Sequence, residues 1–401
     1  MITENRDYDA LVQDINLGDI TSSEHNADIL RRIRNGDTDW SNRLHILGYD
    51  IEGDNNEFIV GAGDDLGWLG YFIGRSEVIE ALYVESLRGY LPDERVQLDA
   101  CMRGIIHNQS IQEISIQTDI GDQGFESLGR FLQNNNTLTI LRFVDFDIGP
   151  GCGHNIAMAV EQCRHNSLIR FDLENSNGSE ESFSEIATAL GTQSQLVELL
   201  LGRNNIGRDG CVALANTLRR WQSSNLQCLT LSNNNIDDLG LEALVEGMTN
   251  CSNLETVHLC DNRSITAAGI RSISPLLQSE TCSLKFIMLQ RINFGDEGAI
   301  ALADGLRGNK SLSRLVFAPI SAGVTDVGWS AFSKLLCDTS SINNTYLSNH
   351  TLEWVGSLFY DDSDTPPDVR RYLLWNKDQR IDAAICKILM THDHFDMKPF
   401  F

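Results

Sequence analysis

Two short stretches of the chain carry residue types that could perform chemistry. Near the C-terminus, His392 and His394 have the imidazole side chains that many transition metals prefer. The run from Gly61 to Gly67 contains three glycines, which a phosphate-binding loop also uses. Residues two apart on a helix point to different faces and no third ligand is marked, so we predict no metal site. The glycine run lacks the G-x-G-x-x-G spacing and a following lysine, so it predicts a turn and a helix N-terminus.

No motif typical of a catalytic site occurs elsewhere in the 401 residues. The chain has neither the G-x-S-x-G pattern of a nucleophilic serine nor the H-E-x-x-H pattern of a zinc protease. Its ten cysteines form no C-x-x-C pair, so they are expected to be reduced, buried and small. We therefore predict that the chain is not an enzyme and uses no cofactor, metal or small-molecule substrate.

The chain is strongly acidic, with a formal net charge of −25 at pH 7. A field of this sign repels phosphate backbones and anionic lipid, so we predict neither nucleic-acid nor membrane binding. It favours a protein partner of basic character. The first residues lack the basic start and apolar run of a signal peptide, which predicts an intracellular protein, either cytoplasmic or nuclear.

One phrase recurs along most of the chain: leucine, two variable residues, leucine, one variable residue, leucine, then asparagine three positions on. Its best copies start at Leu196, Leu226 and Leu254. Weaker copies start at Ile79, Ile111, Leu138, Leu168, Leu284, Leu312 and Ile342. From Ile111 onward the starts lie 27 to 30 residues apart. A phrase of this kind at this period is a leucine-rich repeat, so we predict a solenoid of stacked units.

Each repeat contains the signals of a strand followed by a helix. Alternating apolar residues in the phrase predict a short strand, and the asparagine is expected to satisfy loop backbone groups of neighbouring repeats. A glycine then marks a helix start, and four of these glycines follow an aspartate that we expect to cap that helix: Asp122, Asp238, Asp296 and Asp326. Strands stack more closely than helices, so the array should curve into an α/β horseshoe with a concave parallel sheet and convex helices.

The length of the helical part and the near-alternation of 28 and 30 residues resemble ribonuclease-inhibitor-type leucine-rich repeats, over about residues 79–350. The tail is similar to those of predicted proteins of this kind from unicellular algae. We predict an acidic N-terminal segment over 1–43, with short helices and partial disorder. Repeats are expected over 44–350, beginning with a degenerate strand at Leu44, and a helical cap over 351–401.

The variable residues of each strand should face the concave side, where a partner could contact them. In the later repeats they include Phe286, Met288 and Arg291, residue types that dominate binding energies at interfaces. We predict a protein-binding surface centred on these three and flanked by His258 and Tyr346. The full candidate set is Glu198, Arg203, His258, Phe286, Met288, Arg291, Arg314 and Tyr346.

These features predict a non-enzymatic scaffold for protein–protein interaction. Two alternatives remain open. Repeats of the ribonuclease-inhibitor type also build Ran GTPase-activating proteins, a resemblance that would give Arg203, in Gly202-Arg203-Asn204, a role at the sheet's C-terminal edge. The chain could also be a substrate receptor of a ubiquitin ligase, although residues 1–43 show no clear signature of an adaptor-binding module.

Overall fold

The computed structural model describes most of the chain as two compact units, Met1–Leu200 and Leu201–Phe401. The described residues are 7–38, 42–48, 56–61, 64–85, 87, 94–145, 151–163, 167–176, 178–221, 225–357, 365–378 and 383–392.

The first unit alternates helices with parallel strands. Its strands follow the order β7-β6-β5-β4-β3-β1-β2, and every described pair is parallel. Two 3-10 turns lie at Leu17–Asp19 and Leu190–Thr192. The other elements are α1 (Tyr8–Leu11), α2 (Glu24–Asn35), β1 (Arg43–Leu47), β2 (Glu57–Ile59), α3 (Leu66–Arg75), β3 (Ala81–Val84), α4 (Glu94–Ile105), β4 (Glu113–Ile116), α5 (Gly121–Asn134), β5 (Ile140–Val144), α6 (Cys152–Glu161), β6 (Arg170–Glu174), α7 (Glu180–Ala189) and β7 (Glu198–Leu200).

The second unit repeats the same alternation. Its strands follow the order β12-β11-β10-β9-β8, again parallel in every described pair. The elements are α8 (Gly207–Arg220), β8 (Cys228–Thr230), α9 (Asp238–Met248), β9 (Thr256–His258), α10 (Ala267–Ser272), α11 (Ser274–Gln278), β10 (Phe286–Met288), α12 (Gly295–Gly305), β11 (Arg314–Val316), α13 (Pro319–Ala322), α14 (Asp326–Leu336), α15 (Ile342–Tyr346), β12 (Trp354–Gly356), α16 (Pro367–Asp378) and α17 (Ala383–Thr391).

The leucine phrase sets the strand register. The second leucine position of successive repeats is occupied by Leu229, Val257, Ile287 and Leu315, which are paired Cα to Cα across the strands. All four are at most 3% exposed, so the column forms a continuous core with the apolar faces of the helices. This confirms the predicted leucine-rich repeat solenoid of the α/β class. The curvature stays a prediction.

The phrase asparagines form the predicted hydrogen-bonded ladder. Asn234 accepts the backbone N–H of Asn204 at 3.0 Å and donates to the carbonyl of Leu201 at 2.7 Å. Asn262 repeats this one unit later, accepting the N–H of Asn234 at 2.9 Å and donating to the carbonyl of Leu231 at 2.9 Å. The buried turns after the strands therefore keep their backbone groups paired.

A second amide ladder before the strands was not predicted. Asn135 donates to the carbonyl of Asn108 at 3.0 Å and accepts the N–H of Leu138 at 2.7 Å. In the second unit, Asn349 likewise donates to the carbonyl of Asn309 at 3.2 Å. The sequence signal is an asparagine three residues before the first apolar position of a phrase, in the pattern Asn-x-Ser/Thr. Its amide pairs the helix end of one repeat with the strand entry of the next.

The prediction that four aspartates cap their own helices is wrong. Residues Ile120, Asp237, Phe294 and Thr325 occupy those N-cap positions, and the four aspartates lie in the first turn. Two of them cap the helix of the next repeat instead. Asp296 accepts the backbone N–H groups of Thr325 and Gly328 at 2.8 and 3.0 Å, and Asp238 does the same for Thr266 and Gly269. These hydrogen bonds lower the pKa of Asp296, the Thr325 hydroxyl being the largest cause.

Replacing Asp296 with alanine should lower the free energy of unfolding by about 1–2 kcal/mol, because the free N–H groups of α14 lose their carboxylate acceptor. Chemical denaturation at neutral pH measures the change. Asp304→Ala is the matched control, because Asp304 is exposed at the other end of α12 and should change stability by less than about 0.5 kcal/mol. Equal effects of both substitutions would contradict the cross-repeat cap.

The N-terminal region has a strand at the predicted degenerate phrase, but in a different register. Leu44 pairs with Leu82, the second apolar position of the next phrase, and not with its first, Ile79. Strand β1 begins at Arg43, whereas Tyr49 of the predicted phrase lies outside the described residues. Strand β2 pairs with β1 at the edge of the sheet, although its three residues carry no repeat phrase. The glycine run is a turn and helix start as predicted: Asp65 caps α3 by accepting the N–H of Gly67, while Ala62 and Gly63 lie outside the described residues.

The strand predicted from the phrase at Ile342 is wrong. Ser341 accepts the N–H of Asn344, and this cap starts α15 over Ile342–Tyr346. The last strand, β12, lies further along the chain and pairs with β11 through Arg314↔Trp354. The sheet therefore continues into the segment that the sequence assigned to the C-terminal cap. The division into N-terminal segment, repeats and cap stays a prediction.

A fully buried lysine attaches α17 to the end of the second unit. Lys387 donates to the carbonyls of Leu336 and Asn349 at 2.6 and 3.0 Å, and its Nζ lies 3.1 Å from His350 Nδ1. Burial lowers the pKa of Lys387 from 10.5 to about 7. The helix thus buries its amine, while Ile385, Leu389 and Met390 lie exposed.

This lysine should make stability depend on pH. Between pH 7 and 10.5 the unfolded chain holds a proton on Lys387 that the folded chain has released, so the free energy of unfolding rises with pH. We expect the free energy of unfolding of wild type, relative to that of Lys387→Met, to rise by about 1–3 kcal/mol from pH 7 to pH 9.5. Urea denaturation at the two pH values measures it, and a difference independent of pH would contradict the assignment.

Candidate functional site

Each unit exposes one face of its sheet. In strands β7 to β10 the middle residue is buried and both neighbours are half-exposed. The neighbours occupy the third and fifth positions of each phrase, and the seventh and eighth positions follow the strand. We call the surface formed by these four positions of successive repeats the open face.

The second unit brings most of the predicted surface together. The rings of His258 and Phe286 meet edge to face, with centroids 5.4 Å apart and planes at 80°. Met288 pairs with His258 across β9 and β10, and Phe286 pairs with Arg314 across β10 and β11. Four predicted residues therefore lie on adjacent strands as expected.

Tyr346 does not flank this surface from a strand, which corrects the prediction. It lies on α15, where its side chain is 61% exposed. The flanking aromatic residue is Trp354 on β12, whose neighbour across the strands is Arg314. Sequence reasoning missed Trp354 because the repeat was aligned on Ile342. The phrase Leu352-x-x-Val355 was the available signal, since both residues are buried like their counterparts in earlier repeats.

Two ring nitrogens on the open face of this unit have no hydrogen-bond partner among the described residues. They are Nε2 of His258 and Nε1 of Trp354, both covered by neighbouring atoms. Burial lowers the pKa of His258, so its imidazole is neutral at physiological pH. An unpaired buried polar atom carries a free-energy cost.

The eighth position of the phrase adopts a left-handed backbone, which the sequence did not reveal. The φ angles there are between 54° and 60°, at Asp145, Asn175, Arg203, Asn233, Asp261 and Arg291. Asparagine and aspartate tolerate this conformation, whereas an arginine pays about 1–2 kcal/mol. The turn imposes it through a repeated hydrogen bond, as from Arg203 N–H to the Ser232 carbonyl at 2.8 Å. Both arginines are exposed, and Arg291 lies 3.3 Å from Asp261.

Glu198 belongs to the first unit and is already paired there. Its carboxylate accepts a hydrogen bond from Arg170 at 2.9 Å. Arg170 and Arg142 both bind the fully buried Asp172, each at 2.8 Å. The hydrogen bonds to Asp172 are the largest cause that raises the pKa of Arg170. This network stabilises the first unit's open face. One carboxylate oxygen of Glu198 is already paired with Arg170 in it.

Of the two C-terminal histidines, the structure describes only His392. His392 Nε2 lies 2.9 Å from the Thr345 hydroxyl, whereas His394 lies outside the described residues. Within the described ranges, no three histidine, cysteine or acidic side chains converge as metal ligands. No helix in that part of the chain is long and apolar enough to cross a membrane.

Comparison with known proteins supports the repeat. A family model described as "Leucine Rich repeat" matches residues 222–245. The human NACHT, LRR and PYD domains-containing protein 14 is 28% identical over 58% of this chain and 18% of its own length. Mouse ribonuclease inhibitor is 26% identical over 57% of this chain and 48% of its own. The chain thus spans less than half the length of these relatives.

Solved structures show only distant likeness. The leucine-rich repeat-containing protein LegL7 from Legionella pneumophila has 15% identity and a TM-score of 0.40, covering 65% of this chain and 83% of that one. The yeast complex of Rad7 and Elc1 has 17% identity and a TM-score of 0.35, covering 63% and 66%.

Proposed function

Since this chain is a leucine-rich repeat protein similar to ribonuclease inhibitors, we propose that it is a non-enzymatic scaffold that binds a protein partner. The proposed contact is the open face of the second unit. The observation that carries the proposal is the cluster of Phe286, Met288, His258 and Trp354 on adjacent strands, with Arg314 between two aromatic residues.

This cluster has the composition of an interface centre. Its aromatic and methionine side chains are half-exposed, while the arginines beside them are exposed. Aromatic residues and arginine are enriched among the side chains that contribute most to protein association.

The double substitution Phe286→Ala with Arg291→Ala should weaken binding of the native partner by at least about tenfold, because it removes one anchor and one charged contact. The partner is first identified by affinity purification from the native cell and mass spectrometry, then purified, and its affinity is measured by calorimetry. Leu239→Ala with Arg271→Ala is the matched control, since both residues are exposed on helices away from the open face. Equal affinities of wild type and the Phe286/Arg291 variant would refute this surface.

The proposal includes an intracellular location, cytoplasmic or nuclear. All ten cysteines are free and seven are buried, as suits a reducing compartment. Cell fractionation or imaging of the tagged protein tests the location. The basic character predicted for the partner suits the acidic chain as a whole. It applies to the open face of the first unit, which carries more acidic than basic residues.

A GTPase-activating role is the second candidate. Arg203 is exposed at the C-terminal edge of the sheet, and none of the ion pairs within the described residues involves it, so its guanidinium is available to a partner. A GTP-hydrolysis assay with Ran separates the candidates: an unchanged rate removes this role.

A further inference from the structure

The open faces of the two units differ in charge. Along strands β3 to β7, the described open-face positions of the first unit carry six acidic residues (Glu85, Glu113, Asp145, Asp172, Glu174 and Glu198) against Arg142 and Arg170. The second unit carries Arg203, Arg291 and Arg314 against one acid, Asp261. In a chain with a net charge of −25, this one face is therefore locally cationic.

Asp261 does not neutralise the second face. It lies 3.3 Å from Arg291 and 3.7 Å from Arg263, so it is shared between two guanidinium groups. Arg314 is exposed, and no ion pair in the described part of the chain involves it. Its neighbours across the strands are Phe286 on one side and Trp354 on the other. Arg314 thus lies on the strand between those of two aromatic residues, and no ion pair among the described residues neutralises it.

Arg314 is the polar side chain that these aromatic residues flank. It offers N–H groups in a fork that fits a carboxylate. Phe286 and Met288 supply half-exposed apolar area on the adjacent strand. Charges elsewhere on the chain are screened over about 8 Å at physiological salt, so the local arginines decide what binds here.

Resting on the proposed function, we infer that this face recognises a protein segment that carries an aspartate or glutamate next to a large apolar side chain. The carboxylate binds Arg314 and the apolar side chain packs on Phe286 and Met288. A single unpaired guanidinium between aromatic residues suits a carboxylate, whereas phosphate groups are usually held by clusters of basic residues.

The test uses the full chain and four blocked peptides. The reference is acetyl-Gly-Ser-Glu-Phe-Glu-Ser-Gly-amide, and the others replace both glutamates by glutamine, both by lysine, or phenylalanine by alanine. Binding is followed by NMR of the labelled tryptophan indole groups, with the Trp354 resonance assigned from Trp354→Phe. We expect the reference peptide to shift that resonance and each other peptide to bind at least about fivefold more weakly, because a charge-assisted contact or an anchor is lost.

Two variants make the result specific. Arg314→Glu should reverse the preference in favour of the lysine peptide, whereas Arg271→Ala, an exposed arginine away from this face, should leave it unchanged. A glutamate peptide that binds no better than the glutamine peptide overturns the inference. If the native partner loses affinity with Phe286→Ala and Arg291→Ala but not with Arg314→Glu, the face is used and the carboxylate assignment is wrong. If neither variant affects the partner, the proposed function itself fails.

Discussion

Replacing Phe317 with alanine is expected to lower the free energy of unfolding by about 3–5 kcal/mol. The side chain is fully buried at the third apolar position of the β11 phrase. Its ring contacts those of Phe294, Trp329 and Phe332, with centroids 5.3, 5.9 and 6.0 Å away. These three rings come from different parts of two repeats, so the cavity left by alanine cannot close by moving one side chain.

Urea denaturation followed by circular dichroism measures the loss. Phe317→Leu should cost less than Phe317→Ala, because it keeps most of the volume. Ile320→Ala is the control, since this nearby side chain is 81% exposed and should change stability by less than about 0.5 kcal/mol. A cost for Phe317→Ala near that of the control would mean that the aromatic cluster contributes little.

Replacing Asn234 with alanine is expected to cost about 1–3 kcal/mol, because a buried backbone N–H loses its acceptor and a buried carbonyl keeps only the donor from Asn204. The carbonyl of Leu201 loses a donor at 2.7 Å, and the N–H of Asn204 loses an acceptor at 3.0 Å. Asn234 itself is fully buried, so water cannot replace the amide without opening the turn.

Asn250→Ala is the matched control for the ladder, because this asparagine is exposed at the end of α9. It should change the free energy of unfolding by less than about 0.5 kcal/mol. Hydrogen exchange gives a second measurement: the N–H of Asn204 should exchange faster in Asn234→Ala than in wild type. Unchanged protection of that amide would show that the ladder hydrogen bond is dispensable.

The repeat phrase was sufficient to predict strands β3 to β11, because each copy encodes a local pattern that packs against a similar neighbour. Strand β12 was missed, since Ser341 caps a helix where the period predicted a strand. The glycines and aspartates in the sequence indicated where the helices begin, but not which helix each aspartate caps. Asp296 caps a helix 29 residues further along the chain, and that contact depends on how the repeats stack.

The sequence predicted only part of the candidate site, because the rest depends on how the repeats stack. The strand period places His258, Phe286, Met288 and Arg314 on one face, since side chains alternate along a strand. It could not supply Trp354, which needed the register of β12, nor reveal that Asp172 holds two arginines of the first unit. The left-handed backbone at Arg203 and Arg291 was also hidden, because arginine carries no preference for it.

By itself, therefore, the sequence determined the repeat, the class of fold and which side chains leave the core, because these depend on short periodic patterns. The tertiary structure decided which side chains meet: the aromatic pair around Arg314, the shared carboxylates and the buried Lys387. Those contacts join residues that lie roughly one repeat or more apart in the chain, and their geometry depends on the stacking of whole repeats rather than on any local preference.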